Sequence, residues 1–200
     1  MKVSIIIPYK EDRGWLKDAI ASVPSEAELI LAQGNGNWPQ NFNRGLKKAT
    51  GDLIRWLHED DMLTPNCIAH SIDCFRNTNA DFIHGDAYEI YMNAGRQPGL
   101  YRPMIHVPTF YDLLRKNVIH SATLMYKREI FEKLGGLNES DKMYSFEEFE
   151  FNLRVLKAGF NIGYVNSPLA YYRRHSKQII RTCNNSLRKQ NRQELINSYL

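Results

Sequence analysis

The residues best suited to chemistry are a histidine and three acids, His58-Glu59-Asp60-Asp61, directly after the apolar stretch 53–57. Such a stretch predicts a buried strand, and open α/β sheets bind ligands beyond the carboxyl ends of their strands. Carboxylate oxygens are ligands of hard cations such as Mg²⁺ or Mn²⁺, which in turn hold phosphates. The acids therefore predict a cation site. The alternative is an acidic turn that only caps the next helix, predicted to start with Thr64 as N-cap and Pro65 at the first helical position.

A second pair of acids, Glu147 and Glu148, opens a stretch with a helical apolar pattern that ends at Gly159. Acids in the first turn of a helix are stabilised by the helix dipole, so the pair can be explained as a helix start. The alternative is that one of them is a general base, which takes a proton from a reacting group. The residues by themselves leave both explanations open.

Three strands with helices between them must position the first group of acids. Residues 3–7 are rich in β-branched side chains, which is typical of a parallel strand buried on both faces. Residues 28–32 predict a second strand, which ends in the glycine-containing loop 33–37, and residues 53–57 predict the third. This spacing predicts right-handed βαβ units. The expected fold is a single α/β domain whose mostly parallel central sheet carries helices on both faces.

Composition narrows the class of protein. The chain has 200 residues, of which 43% are hydrophobic, and this suits one globular domain with a core of its own. We expect neither a membrane span nor a secretion signal, because no apolar run reaches the length of a membrane helix. A net charge of +4 is too mild to indicate nucleic-acid binding. Three cysteines without metal-like spacing favour a reduced, cytoplasmic compartment.

Several motifs, in the same order along the chain, resemble those of family 2 inverting glycosyltransferases, which have the Rossmann-like GT-A fold. Residues 51–61 resemble the family's Gly-x-Tyr-Ile-x-Phe-Leu-Asp-x-Asp-Asp segment, and residues 4–10 its opening strand with Pro-x-Tyr-Asn. Residues 43–46 resemble Arg-Asn-x-Gly-Leu, residues 147–154 the segment with the catalytic acid, and residues 168–175 the ending Pro-Leu-x-x-Tyr-Arg-x-His. The compact build also resembles glycosyltransferase domains of large algal DNA viruses, although no motif carries that likeness.

The resemblance implies a metal-dependent, inverting transfer of a hexosyl or deoxyhexosyl group. The donor would be a nucleotide-diphosphate sugar, with a UDP sugar favoured, and the acceptor a hydroxyl of a glycan or glycoconjugate. Asp60 becomes the leading ligand of Mn²⁺ or Mg²⁺, with Asp61 and His175 as further contacts, and Glu148 becomes the general base. The residues expected to contact the donor nucleotide are Pro8, Tyr9, Glu11, Gln33, Asn35, Asn43, His58 and Glu59.

Two positions depart from the family pattern. The first acid of the Asp-x-Asp motif is His58, which leaves metal ligation, nucleotide contact and packing open as its role. The Asp that bonds uracil in the family is replaced by Gln33-Gly34-Asn35, whose amides still offer a donor and an acceptor to a pyrimidine.

The resemblance also divides the chain into functional parts. Residues 1–92 are expected to bind the nucleotide sugar, residues 93–176 the acceptor, and residues 177–200 to form a helical tail. The turn-rich stretch 93–99 predicts a mobile flap. For Lys177 and Arg181, a basic solvated edge is the expected role.

Three other functions are considered. A nucleotidyltransferase needs a Gly-rich, basic phosphate loop after the first strand, and residues 8–14 do not form one. A non-catalytic nucleotide-sugar or glycan-binding module with the same fold is the main alternative, and the two departures from the family pattern support it. Nucleic-acid binding has the weakest support, because the basic residues cluster late and form no recognition motif.

Overall fold

The computed structural model describes residues 1–92, 96–178 and 184–200, and within them the chain forms one eight-stranded sheet with helices around it. The strands are β1 Val3–Tyr9, β2 Glu28–Gln33, β3 Leu53–Trp56, β4 Met62–Leu63, β5 Phe82–Tyr91, β6 Gly99–Tyr101, β7 Met125–Lys127 and β8 Ile162–Arg174. The helices are α1 Leu16–Ala21, α2 Trp38–Leu46, α3 Cys67–Asn77, α4 Phe110–Arg115, α5 Arg128–Leu134, α6 Glu147–Lys157 and α7 Asn185–Asn197. The predicted α/β class is confirmed.

The strand order is β2-β1-β3-β7-β5-β8-β4, with β6 beside β5. β1 pairs in parallel with β2 and β3, over six and four residue pairs, and β5 pairs in parallel with β8 over ten. The antiparallel pairings of β4, β6 and β7 span only two or three residue pairs each. The sheet is thus mixed, although its longest pairings are parallel as predicted.

β1 lies at the centre of the first half because its side chains pack on both faces of the sheet. Val3, Ile5 and Ile7 belong to the apolar cluster that includes α1 and α3, whereas Ile6 belongs to the cluster with α2 and α4 to α7. This alternation follows from the two-residue period of a strand. Full burial of each isoleucine is worth roughly 1.5–3 kcal/mol relative to exposure. Helices therefore cover both faces of the sheet, as predicted.

The segment after the acid run corrects one prediction. Residues 62–63 form β4 and pair with β8, and the Thr64 hydroxyl donates to the carbonyl of Pro168 at 2.6 Å. Helix α3 begins only at Cys67, after Asn66 in a left-handed conformation with φ of 61°. The N-cap role of Thr64 is therefore wrong, because pairing with β8 takes up the residues that local propensity assigns to a helix start. Nor does the acid run cap α3.

One arginine, Arg154, ties α6 to the end of α5. Arg154 Nε donates to Glu150 Oε1 at 2.7 Å, one turn earlier on the same helix. Its two Nη groups donate to the carbonyls of Leu134 and Gly136 at 2.9 and 2.8 Å. Because these carbonyls lie at the end of α5, the acids at the start of α6 are held against the rest of the domain.

The predicted terminal helix is present as α7, and Ile196 anchors it in the core. Cys67 and Cys74 are free thiols on α3, the first buried and the second half-buried. Residues 93–95 of the predicted flap, together with Arg181 and Cys183, lie outside the described residues. No helix in the described ranges is both long enough and apolar enough to cross a membrane.

Candidate active site

A cleft of about 350 Å³ lies at the carboxyl ends of β1 and β3. The residues that line it come from several parts of the chain, among them the end of β1, the loop after β3, β5, residues 117–121, the start of α6, β8 and helix α7. Six of the predicted site residues line it: Pro8, His58, Glu59, Asp60, Asp61 and Glu148. The two acid groups, which are far apart in the sequence, therefore meet in one cleft.

Asp60 has two basic partners. Its Oδ2 accepts hydrogen bonds from His175 Nε2 at 2.9 Å and from Arg13 Nη2 at 3.2 Å. The His175 ring also lies against Trp15, with the ring centroids 4.2 Å apart, so the imidazole is held from two sides. Two predicted metal ligands, Asp60 and His175, thus come together although they are 115 positions apart in the chain.

These contacts set the pKa values of the acids. Burial by itself raises the pKa of Asp60, but the His175 hydrogen bond and the nearby positive charges outweigh it, so the pKa lies below the usual aspartate value. For Glu59 the balance is reversed. Burial and the charge of Asp60 raise its pKa despite the Arg13 Nε, which donates to Oε1 at 2.5 Å. Asp60 is therefore the acid of this run that stays charged most readily.

Asp61 ties the acid run to the last strand. Its Oδ1 accepts from the backbone N–H of Arg173 at 2.9 Å, and Arg173 Nε donates to the carbonyl of Asp60 at 2.8 Å. Asp61 is only 1% exposed, and burial together with the charge of Asp60 raises its pKa well above the usual value. Besides its predicted contact with a metal, Asp61 thus has a structural role in holding the loop against β8.

The two acids of α6 differ in their surroundings. Glu147 is 3% exposed, and burial together with the charge of Glu148 raises its pKa to about 8, despite a hydrogen bond with Trp38. Glu148 is half-buried and lines the cleft. Tyr172, which also lines the cleft, lies near both acid groups. Burial together with Asp61, Asp60 and Glu148 raises its pKa to about 12. Both glutamates lie in the first turn of α6, where the helix dipole also favours them.

His58 packs on the side chain of Trp38. The ring centroids are 5.0 Å apart and the planes meet at 61°. Since Trp38 also hydrogen-bonds with Glu147, it connects the loop after β3 with the start of α6. Of the roles left open for His58, packing is observed, and its place in the lining leaves it accessible to a ligand.

The loops after β1 and β2 carry the other predicted nucleotide contacts. Tyr9 and Gln33 are opposite each other in the parallel register of these strands. Neither these two residues nor Glu11 and Asn35 line the cleft. Glu11, Gln33 and Asn35 are exposed. Their contact with a nucleotide stays a prediction.

Asn43 is separated from the other predicted site residues. Its Nδ2 donates to the carbonyl of Leu137 at 2.9 Å and to Glu139 Oε1 at 2.8 Å, while its Oδ1 accepts from the N–H of Leu137 at 2.9 Å. It lines a different cavity, between α2 and residues 136–139. The structure thus gives Asn43 the role of joining α2 to the loop after α5.

Among the described residues, no group of three or more His, Cys, Asp or Glu side chains is arranged to hold a metal ion by itself. Mg²⁺ is commonly held by one or two carboxylates plus substrate phosphates, so a full protein cage is not required. Asp60 and His175 offer a carboxylate and an imidazole, which suit Mn²⁺ as well. In the part of the chain described, Asp60 Oδ1 makes no hydrogen bond, so one carboxylate oxygen is available. The free oxygen of Asp60 therefore fits a cation that a diphosphate completes, while ligation by His175, whose Nε2 donates to Asp60, stays a prediction.

Sequence reasoning missed several cleft residues, among them Arg13, Trp38, Arg188 and Arg192. Arg13 lies in the loop after β1. The residues of this loop exclude a phosphate loop but do not indicate that the Arg13 side chain reaches Asp60. The two arginines of α7 are four positions apart, a spacing that indicates a common helix face but not what that face meets. Only the position of α7 over the cleft gives them a role.

The family model described as "Glycosyl transferase family 2" matches residues 24–135, which is more than half of the chain. An uncharacterised glycosyltransferase of Rickettsia conorii is 24% identical over an alignment of 212 positions, gaps included, and the alignment covers 88% of this chain and 34% of that protein. A second one, from Rickettsia typhi, is 26% identical over an alignment of 220 positions. This alignment covers 92% of this chain and 68% of that protein. The chain thus spans about a third of the length of the first relative.

The fold is also that of a solved structure, S. aureus TarS 1–349 in complex with UDP-GlcNAc. The TM-score is 0.72 at 15% sequence identity, and the match covers 92% of this chain and 62% of that chain. This likeness confirms the predicted GT-A fold.

Proposed function

Since the chain belongs to glycosyl transferase family 2, we propose that it transfers a sugar from a nucleotide-diphosphate sugar to a hydroxyl of a glycan or glycoconjugate. One observation carries this proposal. Asp60, with its lowered pKa, and Glu148, at the start of α6, line the same cleft. Glycosyl transfer needs a site for the anionic leaving group and a base for the acceptor, and the cleft offers a candidate for each.

In this proposal the donor binds with its diphosphate at Asp60 and His175 and with its base near Pro8 and the exposed side chains after β1 and β2. UDP is the favoured diphosphate, which is supported by the UDP-GlcNAc complex of the structurally similar TarS. Gln33 and Asn35 offer both donors and acceptors to a pyrimidine edge. The sugar is proposed to be a hexosyl or deoxyhexosyl group.

The proposed metal contacts are Asp60 and His175, with Asp61 behind them. Mn²⁺ or Mg²⁺ bound there would supply positive charge that stabilises the leaving diphosphate. Arg13, which now pairs with Glu59 and Asp60, is placed to add a further positive charge on the same side of the cleft.

Glu148 is the proposed general base. It accepts the proton of the acceptor hydroxyl while the hydroxyl oxygen attacks the anomeric carbon and the bond to the diphosphate breaks. A single displacement of this kind inverts the anomeric configuration. Glu147 is the less suitable acid because it is buried and its pKa is raised to about 8, so it holds its proton over most of the neutral range.

A non-catalytic module that binds nucleotide sugars or glycans is the second candidate. The observation in its favour is that Asp60 Oδ2 already has two partners within the protein, Arg13 and His175. Either function is compatible with a cytoplasmic location, which the free thiols of Cys67 and Cys74 support.

A panel of UDP, GDP and dTDP sugars, each with Mn²⁺ or with EDTA, separates these possibilities. Thermal unfolding measures donor binding, since a ligand that binds only the folded state raises its stability. Release of the nucleotide diphosphate in the presence of a mixture of sugar acceptors measures transfer. We expect a UDP sugar to stabilise the protein and to be consumed in Mn²⁺. Stabilisation without consumption supports the binding module, and the absence of both contradicts the proposed function.

A further inference from the structure

We propose that the acceptor carries an anionic group, a phosphate or a carboxylate, near the hydroxyl that receives the sugar, and that Arg188 and Arg192 bind this group. The inference rests on the proposed function, because it names the class of acceptor for the same cleft. It begins from two arginines of α7 to which the reaction described so far gives no role.

The two guanidinium groups lie beside the proposed base. Arg188 Nε donates to the Ser145 hydroxyl at 2.5 Å, and the Arg192 guanidinium lies over the Phe149 ring, 4.8 Å from its centroid. Ser145 and Phe149 are on either side of Glu148 in the chain, and both arginines line the cleft with it. An anion held by this pair would thus lie close to the general base.

Neither arginine has a carboxylate partner in the described ranges, whereas Arg13 and Arg174 of the same cleft are both paired with acids. The stretches outside the described residues contain no Asp or Glu that could supply one. Both arginines are partly buried, and burial together with the charge of Arg188 lowers the pKa of Arg192. Two partly desolvated like charges are unfavourable side by side, and an anion between them relieves the repulsion.

The location favours the acceptor over the donor diphosphate. The diphosphate is expected at Asp60, where Arg13 already provides a cation. The base must face the accepting hydroxyl, so a group held next to Glu148 belongs to the molecule that carries this hydroxyl. The forked guanidinium matches the two oxygens of a carboxylate or of a phosphate equally well, which is why both are included.

Calorimetry with three matched sugars tests the proposal, with and without UDP present. Glucose is the neutral reference, and glucose 6-phosphate and glucuronic acid separate phosphate from carboxylate. We expect at least one anionic sugar to bind roughly tenfold or more tightly than glucose, as for a charge-assisted hydrogen bond. The double variant Arg188→Gln/Arg192→Gln should lose this preference while its affinity for UDP is unchanged.

Lys189→Gln is the matched control, because it removes one positive charge from an exposed position of the same helix. It should keep the preference of the wild type. If the double variant does not fold, Arg192→Gln alone leaves the Ser145 contact in place and gives the same comparison.

Equal binding of the three sugars by the wild type overturns the proposal, and so does an unchanged preference in the double variant. A loss of UDP affinity in the double variant means that the arginines serve the diphosphate, which overturns it as well. Failure of the proposed function is a different result, in which nucleotide sugars neither bind nor are consumed. In that case, calorimetry without UDP tests only whether Arg188 and Arg192 bind an anionic sugar, and the assignment of this sugar as an acceptor is overturned.

Discussion

In both acid groups of the cleft, neighbouring carboxyl groups differ in their surroundings. Asp60 keeps its charge because His175 and Arg13 outweigh the cost of burial, whereas burial raises the pKa of Asp61 beside it. In α6, burial raises the pKa of Glu147 to about 8, while Glu148 is half-buried and lines the cleft. The raised pKa values of Asp61 and Glu147 thus reduce the repulsion between neighbouring carboxylates.

Replacing Asp60 tests the role of its charge. Asp60→Ala should remove the effect of Mn²⁺ on UDP affinity in calorimetry, because it deletes the carboxylate that we expect to hold the cation. The wild type should bind UDP roughly tenfold or more weakly in EDTA than in Mn²⁺. Asp73→Ala on the exposed side of α3 is the matched control and should behave as the wild type. A UDP affinity that is unchanged by EDTA and by the substitution contradicts the role of a metal.

Glu147 should make stability depend on pH. Its pKa is raised from 4.5 to about 8 in the folded protein, so between these values the folded state holds a proton that the unfolded state has lost. Stability therefore falls as pH rises from about 5 to about 8. Glu147→Gln keeps an acceptor for Trp38 and removes the titration. In urea unfolding it should gain at least about 1 kcal/mol relative to the wild type between pH 5 and pH 8.

The control for this measurement is Glu132→Gln, which changes an exposed glutamate of α5. Its stability should follow the wild type at both pH values. A parallel pH dependence of the Glu147→Gln variant and the wild type contradicts the raised pKa.

At the scale of elements, local patterns predicted β1, β2, β3 and most helices, because apolar periodicity and turn residues are sufficient for them. In α4, for example, the N-cap is a threonine, Thr109, whose hydroxyl accepts from the N–H of Asp112 at 3.2 Å. The strands β4 and β6 were missed because they are only two and three residues long. Each is defined by its partner strand and not by its own residues.

Asn43 provides a prediction at this scale. Asn43→Ala removes three hydrogen bonds between α2 and residues 137–139, so it should lower the free energy of unfolding by about 1–3 kcal/mol. Urea unfolding measures this loss, and calorimetry should find UDP affinity nearly unchanged. The opposite result, unchanged stability with lost UDP affinity, would contradict this structural role and would support contact of Asn43 with the donor nucleotide.

For the whole molecule, the cleft exists because β8 returns the chain to the loop after β3. Its end brings Arg173 to Asp61 and His175 to Asp60, across 112 and 115 positions of sequence. Contacts of this range follow from the order of strands in the sheet, which the pattern of the first 57 residues does not determine. Single residues that line the cleft, such as Asp60, could be predicted from local motifs, whereas others that line it, such as Arg13, Trp38 and Arg192, could not.

The measurement that tests the central claim most directly compares Glu148→Gln with Glu147→Gln and the wild type. For the UDP sugar that the wild type consumes fastest, the rate of UDP release with acceptor is measured beside the affinity for UDP. We predict that Glu148→Gln keeps its UDP affinity and loses roughly 10²-fold or more in rate, because the base is gone and the donor site is intact. Turnover of Glu148→Gln at the wild-type rate would contradict the account, and an inactive Glu147→Gln variant would then identify Glu147 as the base.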